Sequence, residues 1–197
     1  MSGSSLPLFP LHTVLFPGAR LQLRIFEPRY VDLVAACGRD GSGFGVCLIV
    51  EGGEIGEAPR HAVVGTQARI VDFTSLPDGL LGITVQGDRR FRVERARVRA
   101  DGLIVADGVS WLAPETPTPL PIEYDLLATL LRRLIERMGG VHAAADEAAY
   151  ADAAWVGWRL AELLPLARTD RQSLLEESDP AARLRRLLDL VAQLQAE

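Results

Sequence analysis

The chain has 197 residues, of which 48% are hydrophobic and 24% are charged, and its net charge is −5 at pH 7. This composition is typical of a folded globular protein, and the length suffices for a buried core without disulfide or metal staples. The negative net charge argues against a dedicated nucleic-acid binder, and no apolar run in the sequence reaches the roughly 20 residues of a membrane-spanning helix.

Lysine is absent, because all 21 residues in the Lys+Arg count are arginine. Without lysine, the chain can form neither a side-chain Schiff base, nor a P-loop, nor a Ser-Lys hydrolytic dyad. His12, His61 and His142 lie far apart and lack the spacing of metal ligands. We therefore expect no catalytic residue, no metal site and no cofactor.

Residues 1–113 predict a β-rich unit with one helix. Apolar runs separated by turn residues predict strands at 6–8, 19–25, 44–50, 62–73, 80–87, 91–100 and 103–111. We predict turns at Gly87-Asp88 and at Asp101-Gly102. The helix is predicted to begin at Glu27-Pro28 and to end at Gly38. Many short strands with a single helix predict a small, partly open β-barrel.

The rest of the chain predicts helices behind a connector. Residues 114–122 contain four prolines, which favour an extended segment. Residues 123–197 predict a bundle of four helices: one over 126–138 that stops at Gly139-Gly140, one over about 146–164, one behind a capping box at Thr169 and Gln172, and one opened by Asp179-Pro180. The predicted fold class is therefore α+β, a barrel followed by a helical bundle.

Several short motifs in a fixed order carry a family resemblance. They cover residues 6–11, 14–18, 23–30, 64–70, 85–93, 163–166, 172–176 and 179–184, and the run Phe26-Glu27-Pro28-Arg29-Tyr30 is the most specific. The sequence resembles the N-terminal substrate-binding domain of Lon-type ATP-dependent proteases. The resemblance implies a PUA-like barrel with a helical bundle, and a role in gripping unfolded or tagged polypeptide for a protease.

The resemblance also sets expectations about activity and partners. We expect a stand-alone, cytoplasmic, non-catalytic relative that lacks the ATPase and protease modules of Lon enzymes. Its expected partner is unfolded or tagged polypeptide, with a protease, a chaperone or a second copy of the chain as further partners. We expect neither nucleic acid nor membrane as a partner.

The candidate binding residues are mainly aromatic, and each has a structural alternative. Phe9, Phe16 and Phe26 lie close in sequence to the polar residues Glu27 and Arg29 and to Tyr30. The alternative is that the Glu-Pro pair only opens a helix, with Tyr30 in the core. Trp155 and Trp158 are three residues apart on one helix, where they either pack internally or anchor a partner. We expect apolar and aromatic side chains in a crevice between barrel and bundle to accept extended or unfolded segments, with backbone hydrogen bonding at a strand edge as a second contribution.

Two other functions remain open from the sequence. One is an RNA-binding PUA-like module that uses the arginines at positions 89, 90, 92, 95, 97 and 99. The interruption by Glu94 and the alternation of these arginines instead favour the solvated face of a strand. The other function is a scaffold that only dimerises.

Overall fold

The computed structural model describes residues 5–196. Positions 1–4 of the predicted β-rich unit and position 197 of the predicted helical unit lie outside the described residues. The chain divides into two compact units, an N-terminal unit of residues 1–114 and a C-terminal unit of residues 115–197. The division falls at the start of the proline-rich segment, whose prolines cannot continue a helix or a central strand.

Six strands of the N-terminal unit form one sheet. They are β1 (Leu6–Leu11), β2 (Arg20–Ile25), β3 (Phe44–Glu51), β4 (Arg60–Ser75), β5 (Leu81–Val98) and β6 (Ile104–Trp111). Their order is β2–β5–β4–β3–β1–β6, and β1 and β3 are the parallel neighbours in an otherwise antiparallel sheet of the described strands. Because β6 pairs with β5 as well as β1, the sheet curls like a barrel and leaves β2 at an edge. The barrel-like sheet predicted from the sequence is confirmed.

One helix, α1 (Pro28–Asp40), follows β2. Its predicted start is confirmed, since the fixed φ of proline suits the first helical position. The predicted end at Gly38 is wrong, because the helix continues to Asp40 and closes at Gly41, which has a left-handed φ of 63°. Gly38 instead lies within the helix, beside the ring of Phe73.

The strand β5 is continuous where two strands were predicted, so the predicted turn at Gly87-Asp88 is wrong. The Gly87 N–H donates to the carbonyl of Ala19 at 2.9 Å, and the Gly87 carbonyl accepts from the N–H of Gly18 at 2.8 Å. A Cβ at Gly87 would lie 2.2 Å from the carbonyl oxygen of Phe16. This glycine therefore permits a close backbone approach inside a strand rather than a reversal of the chain.

The predicted turn at Asp101-Gly102 is confirmed as the connection of β5 to β6. The N–H of Arg99 donates to the carbonyl of Leu103 at 2.8 Å, and the N–H of Gly102 donates to the carbonyl of Arg99 at 2.9 Å. Gly102 has a φ of 82°, which favours glycine there.

The C-terminal unit is helical. Its described residues contain α2 (Asp125–Met138), α3 (Glu147–Tyr150), α4 (Ala153–Leu163), α5 (Arg168–Glu176) and α6 (Pro180–Ala196), and a short 3-10 turn precedes α2. The helix α4 contacts α2, α3, α5 and α6, and eight of its eleven residues are buried. Among residues 5–196 there is no helix with the length and apolar character needed to cross a membrane.

The helix predicted over 146–164 is two helices, α3 and α4, because Asp152 interrupts it. The Asp152 carboxylate accepts from the N–H of Ala154 at 3.1 Å and from the N–H of Thr118 at 3.0 Å. Asp152 therefore caps α4, as aspartate commonly does at a helix start.

The predicted capping box at Thr169 is also wrong. The helix α5 begins two residues earlier than a cap at Thr169 implies. It follows Ala167, which makes no side-chain cap, and Thr169 lies inside it. The Gln172 amide donates to Glu176 at 2.7 Å instead. Two other predicted limits of this unit are confirmed, since α2 ends before Gly139 and the Asp179 carboxylate accepts from the N–H of Ala181 in the first turn of α6 at 3.0 Å.

Candidate functional site

A pocket of about 300 Å³ opens beside β2 and the start of α1 in the N-terminal unit. We call it the β2–α1 pocket. It is lined by the unbroken run of residues 21–27 together with Phe9, Leu11, Thr13, Tyr30 and Glu54. Its volume lies at the small end of the range for ligand pockets, about 300–1,000 Å³. Four residues singled out from the sequence, Phe9, Phe26, Glu27 and Tyr30, meet at this pocket.

Two stacked rings give the pocket a rigid aromatic wall. The rings of Phe9 and Tyr30 are nearly parallel, at 10°, with centroids 3.8 Å apart, and Phe44 packs against Phe9 from the core at 5.7 Å. Both wall residues are buried, at 6% and 5% exposure. Burial raises the pKa of Tyr30, which favours the neutral phenol and keeps charge out of the wall.

Phe26 differs from these rings because it is accessible. Its side chain is 48% exposed at the rim of the pocket, whereas the preceding Ile25 is 2% exposed. An exposed phenyl ring beside an apolar wall offers a partner additional apolar surface without any rearrangement of the core.

Glu27 and Arg29 hold the start of α1 in place. Glu27 precedes the helix but makes no side-chain cap, and its carboxylate lies 2.7 Å from Nη2 of the buried Arg29. Nη1 of Arg29 donates to the carbonyl of Gly102 at 3.1 Å, and the guanidinium lies 5.0 Å from the centre of the Tyr30 ring. Arg29 thus ties the helix to the β5–β6 turn, while Glu27 faces the pocket.

The remaining aromatic candidates lie elsewhere. Phe16 is 1% exposed and does not line the β2–α1 pocket, and it packs where its carbonyl approaches Gly87. In the C-terminal unit, Trp158 is 7% exposed, with the Arg183 guanidinium 3.3 Å from its ring centre. Trp155 is half-buried, edge-on to the ring of Tyr150 at 5.1 Å. Phe16 is therefore not a residue of the pocket, and the two tryptophans belong to the C-terminal unit.

Eight of the twelve lining residues were not candidates from the sequence, and Leu21, Leu23 and Glu54 are three of them. Leu21 and Leu23 of β2 are half-buried, and the alternation Arg-Leu-Gln-Leu-Arg-Ile over 20–25 is the signal that could have indicated them. Glu54, from the loop after β3, accepts from the backbone N–H of His12 at 2.7 Å. Its position depends on a contact 42 residues away in sequence, which no local pattern predicts.

The arginines of residues 89–99 are largely engaged within the N-terminal unit. Arg90 is buried, and Arg89 lies over the ring of Trp111 at 3.7 Å. Arg97 and Arg99 form ion pairs with Asp107 and Asp101, at 2.9 and 2.8 Å. These pairings offset positive charge along the strand and favour its role as a solvated face. In the described part of the chain, no cluster of three His, Cys, Asp or Glu residues could hold a metal ion.

The chain is similar to known proteins over almost its whole length. The family described as the ATP-dependent protease La (LON) substrate-binding domain matches residues 5–193, so the chain belongs to this family. The resemblance seen in the sequence motifs is thereby confirmed.

Curated relatives extend well beyond the matched region. Lon protease 4 of Sorangium cellulosum is 32% identical over 98% of this chain, and Lon protease 2 of Myxococcus xanthus is 31% identical over 94%. The chain spans 24% and 23% of these two proteins, and 11% of the Lon protease of Flavobacterium johnsoniae.

Solved structures share the fold. A Lon N-terminal domain protein from Xanthomonas campestris is 52% identical, with a TM-score of 0.79, over 94% of this chain and 98% of that one. The N-terminal domain of a Mycobacterium avium complex Lon protease is 19% identical, with a TM-score of 0.64, over 94% of this chain and 97% of that one. The second likeness concerns the fold alone.

Proposed function

We propose that this chain binds extended segments of unfolded or tagged polypeptide in the β2–α1 pocket and catalyses no reaction itself. The observation that carries the proposal is the convergence of apolar and aromatic side chains at a sheet edge, with Phe26 accessible at the rim. The description of the family as a substrate-binding domain supports the same function in more general terms.

The pocket chemistry suits apolar side chains of a client. Phe9, Leu23 and Tyr30 offer hydrocarbon surface, and the nearby carboxylate of Glu27 is already paired with Arg29. Burying one large apolar side chain stabilises a complex by roughly 1.5–3 kcal/mol. A folded client hides such side chains in its own core, so this pocket would favour unfolded chains.

The same proposal extends to the type of fold, the place of action and the partners of the chain. We infer that the barrel is of the PUA-like kind and that the helices form a bundle. The proposed place of action is the cytoplasm, where a protease or chaperone would receive the bound polypeptide. We also propose a second copy of the chain as a further partner.

The proposal is tested by removing the accessible ring. We expect Phe26→Ala to weaken binding of fluorescein-labelled, reduced and carboxymethylated α-lactalbumin about tenfold, measured by fluorescence anisotropy. The matched control is Phe73→Ala, since Phe73 is similarly exposed, at 53%, but does not line the pocket. Thermal unfolding of both variants shows whether each retains its fold.

The expected pattern is a loss of affinity in Phe26→Ala alone, with both variants folded. Equal weakening in the two variants would mean that general surface apolarity, and not this pocket, binds the polypeptide. An absence of binding by the unmodified chain would overturn the proposed function.

A further inference from the structure

Within residues 5–196, the strand β2 has one edge without a partner strand. It occupies the end of the sheet order, and within the described residues its six positions pair with residues 81–86 of β5 alone. In an antiparallel pair, every second residue of an edge strand directs its N–H and C=O away from the neighbouring strand. Such an edge is a template for another extended chain.

We infer from its lining residues that the β2–α1 pocket extends along this edge. Side chains of a strand alternate between faces, so a pocket on one face would be lined by every second residue. Here residues 21–27 line it without interruption. Phe9, Leu11 and Thr13, on β1 and the segment after it, also line the pocket. The pocket is therefore lined both by β2 and by a stretch of chain that is not paired with β2.

We propose that the client adds to the unpaired edge of β2 as an extra strand, a mode of binding that rests on the proposed function. The occupant is an extended segment in which every second side chain is large and apolar. A helix cannot supply the matching backbone groups, because its N–H and C=O groups bond to each other. Main-chain pairing tolerates many sequences, while the apolar lining from Leu21, Leu23 and the Phe9 ring selects the alternate side chains.

The test removes single backbone donors from the client and leaves the protein unchanged. The probe is a fluorescein-labelled ten-residue peptide of alternating threonine and valine, with one central phenylalanine to fix its position in the pocket. Each member of the series carries an N-methyl group on one successive backbone nitrogen near the centre. An amphipathic peptide of the same length that forms a helix serves as the comparison.

We expect the loss of affinity to alternate along the peptide. N-methylation should weaken binding at least tenfold at every second position and less than twofold at the positions between, and the helical peptide should bind at least tenfold more weakly. A uniform effect, no effect, or equal binding of the helical peptide would overturn strand addition. Failure of strand addition leaves the proposed function standing if the unmodified peptide and the α-lactalbumin probe both bind. If neither probe binds, both strand addition and the proposed function are contradicted.

Discussion

Arg183 of α6 is fully buried, and four groups around it replace the water that its guanidinium loses. Nη1 donates to the carboxylate of Glu115 at 2.9 Å, Nη2 to the carbonyl of Glu177 at 2.6 Å, and Nε to the carbonyl of Leu174 at 3.3 Å. The ring of Trp158 covers one face of the guanidinium. The tryptophan considered as an anchor for clients is therefore engaged with a buried charge.

Removing this charge should destabilise the C-terminal unit. We expect Arg183→Met to lower the free energy of unfolding by about 3–5 kcal/mol, because the Glu115 carboxylate, whose side chain is only 11% exposed, then lacks its cation. The measurement is urea denaturation followed by tryptophan fluorescence. Arg186→Met on the same helix is the control, since Arg186 is half-exposed and 3.3 Å from Asp170, and should change stability by less than about 1 kcal/mol. Equal stability losses would contradict the role assigned to Arg183.

At the scale of elements, the continuity of β5 organises the N-terminal unit. It pairs with β2 over residues 81–86, with β4 over residues 81–92 and with β6 over residues 91–98. The same strand therefore supports the β2–α1 pocket at one end and joins β6 at the other. The continuity requires a residue without a side chain at position 87, where the strand passes the carbonyl of Phe16.

This requirement predicts a large effect of one added methyl group. Gly87→Ala should lower the free energy of unfolding by at least about 2 kcal/mol, because its Cβ would meet a backbone oxygen that cannot move as a side chain can. Gly53→Ala is the matched control, since its Cβ would approach no atom outside its chain neighbours closer than 3.7 Å, and should change stability by less than about 0.5 kcal/mol. The measurement is the free energy of unfolding of the two variants, obtained from thermal unfolding. A neutral Gly87→Ala would mean that the 16–19 segment does not approach β5 this closely.

Sequence patterns predicted the elements better than their limits. Alternating apolar residues and an Asp-Gly turn were enough to predict β6 and the two halves of β5, because these signals are local. The role of Gly87 depends on the 16–19 segment, and the interruption at Asp152 accompanies its contact with Thr118. Such long-range contacts have no local signature, so a glycine was mistaken for a turn and a cap for a helix interior.

The candidate site was predictable in part for the same reason. The run around Phe26 is conspicuous in the sequence, and the resemblance led to Phe9 and Tyr30 through the same motifs. Only the folded chain shows that Phe9 stacks on Tyr30, that Phe16 is enclosed, and that Leu21 and Leu23 join the pocket. Burial separates aromatic residues that look alike in the sequence.

We propose that the chain as a whole binds polypeptide and catalyses no reaction. The 197 residues contain no lysine, which excludes a P-loop and a Ser-Lys dyad within them. We therefore expect the purified chain neither to release phosphate from ATP nor to cleave casein above a buffer control. The measurements are a malachite-green phosphate assay and gel analysis of casein. Turnover that a single point substitution abolishes would contradict the non-catalytic proposal.

Polypeptide binding at β2 and the β2–α1 pocket is tested most directly by amide hydrogen exchange. Exchange is measured by mass spectrometry with and without the carboxymethylated α-lactalbumin probe. Bound polypeptide that pairs with β2 and covers the β2–α1 pocket should slow exchange in residues 20–30, since exposed edge amides gain hydrogen-bond partners. Exchange in residues 89–99 and in α6 should stay unchanged. Slowed exchange confined to the arginine-rich part of β5 or to the C-terminal unit, with residues 20–30 unaffected, would contradict polypeptide binding at the β2–α1 pocket.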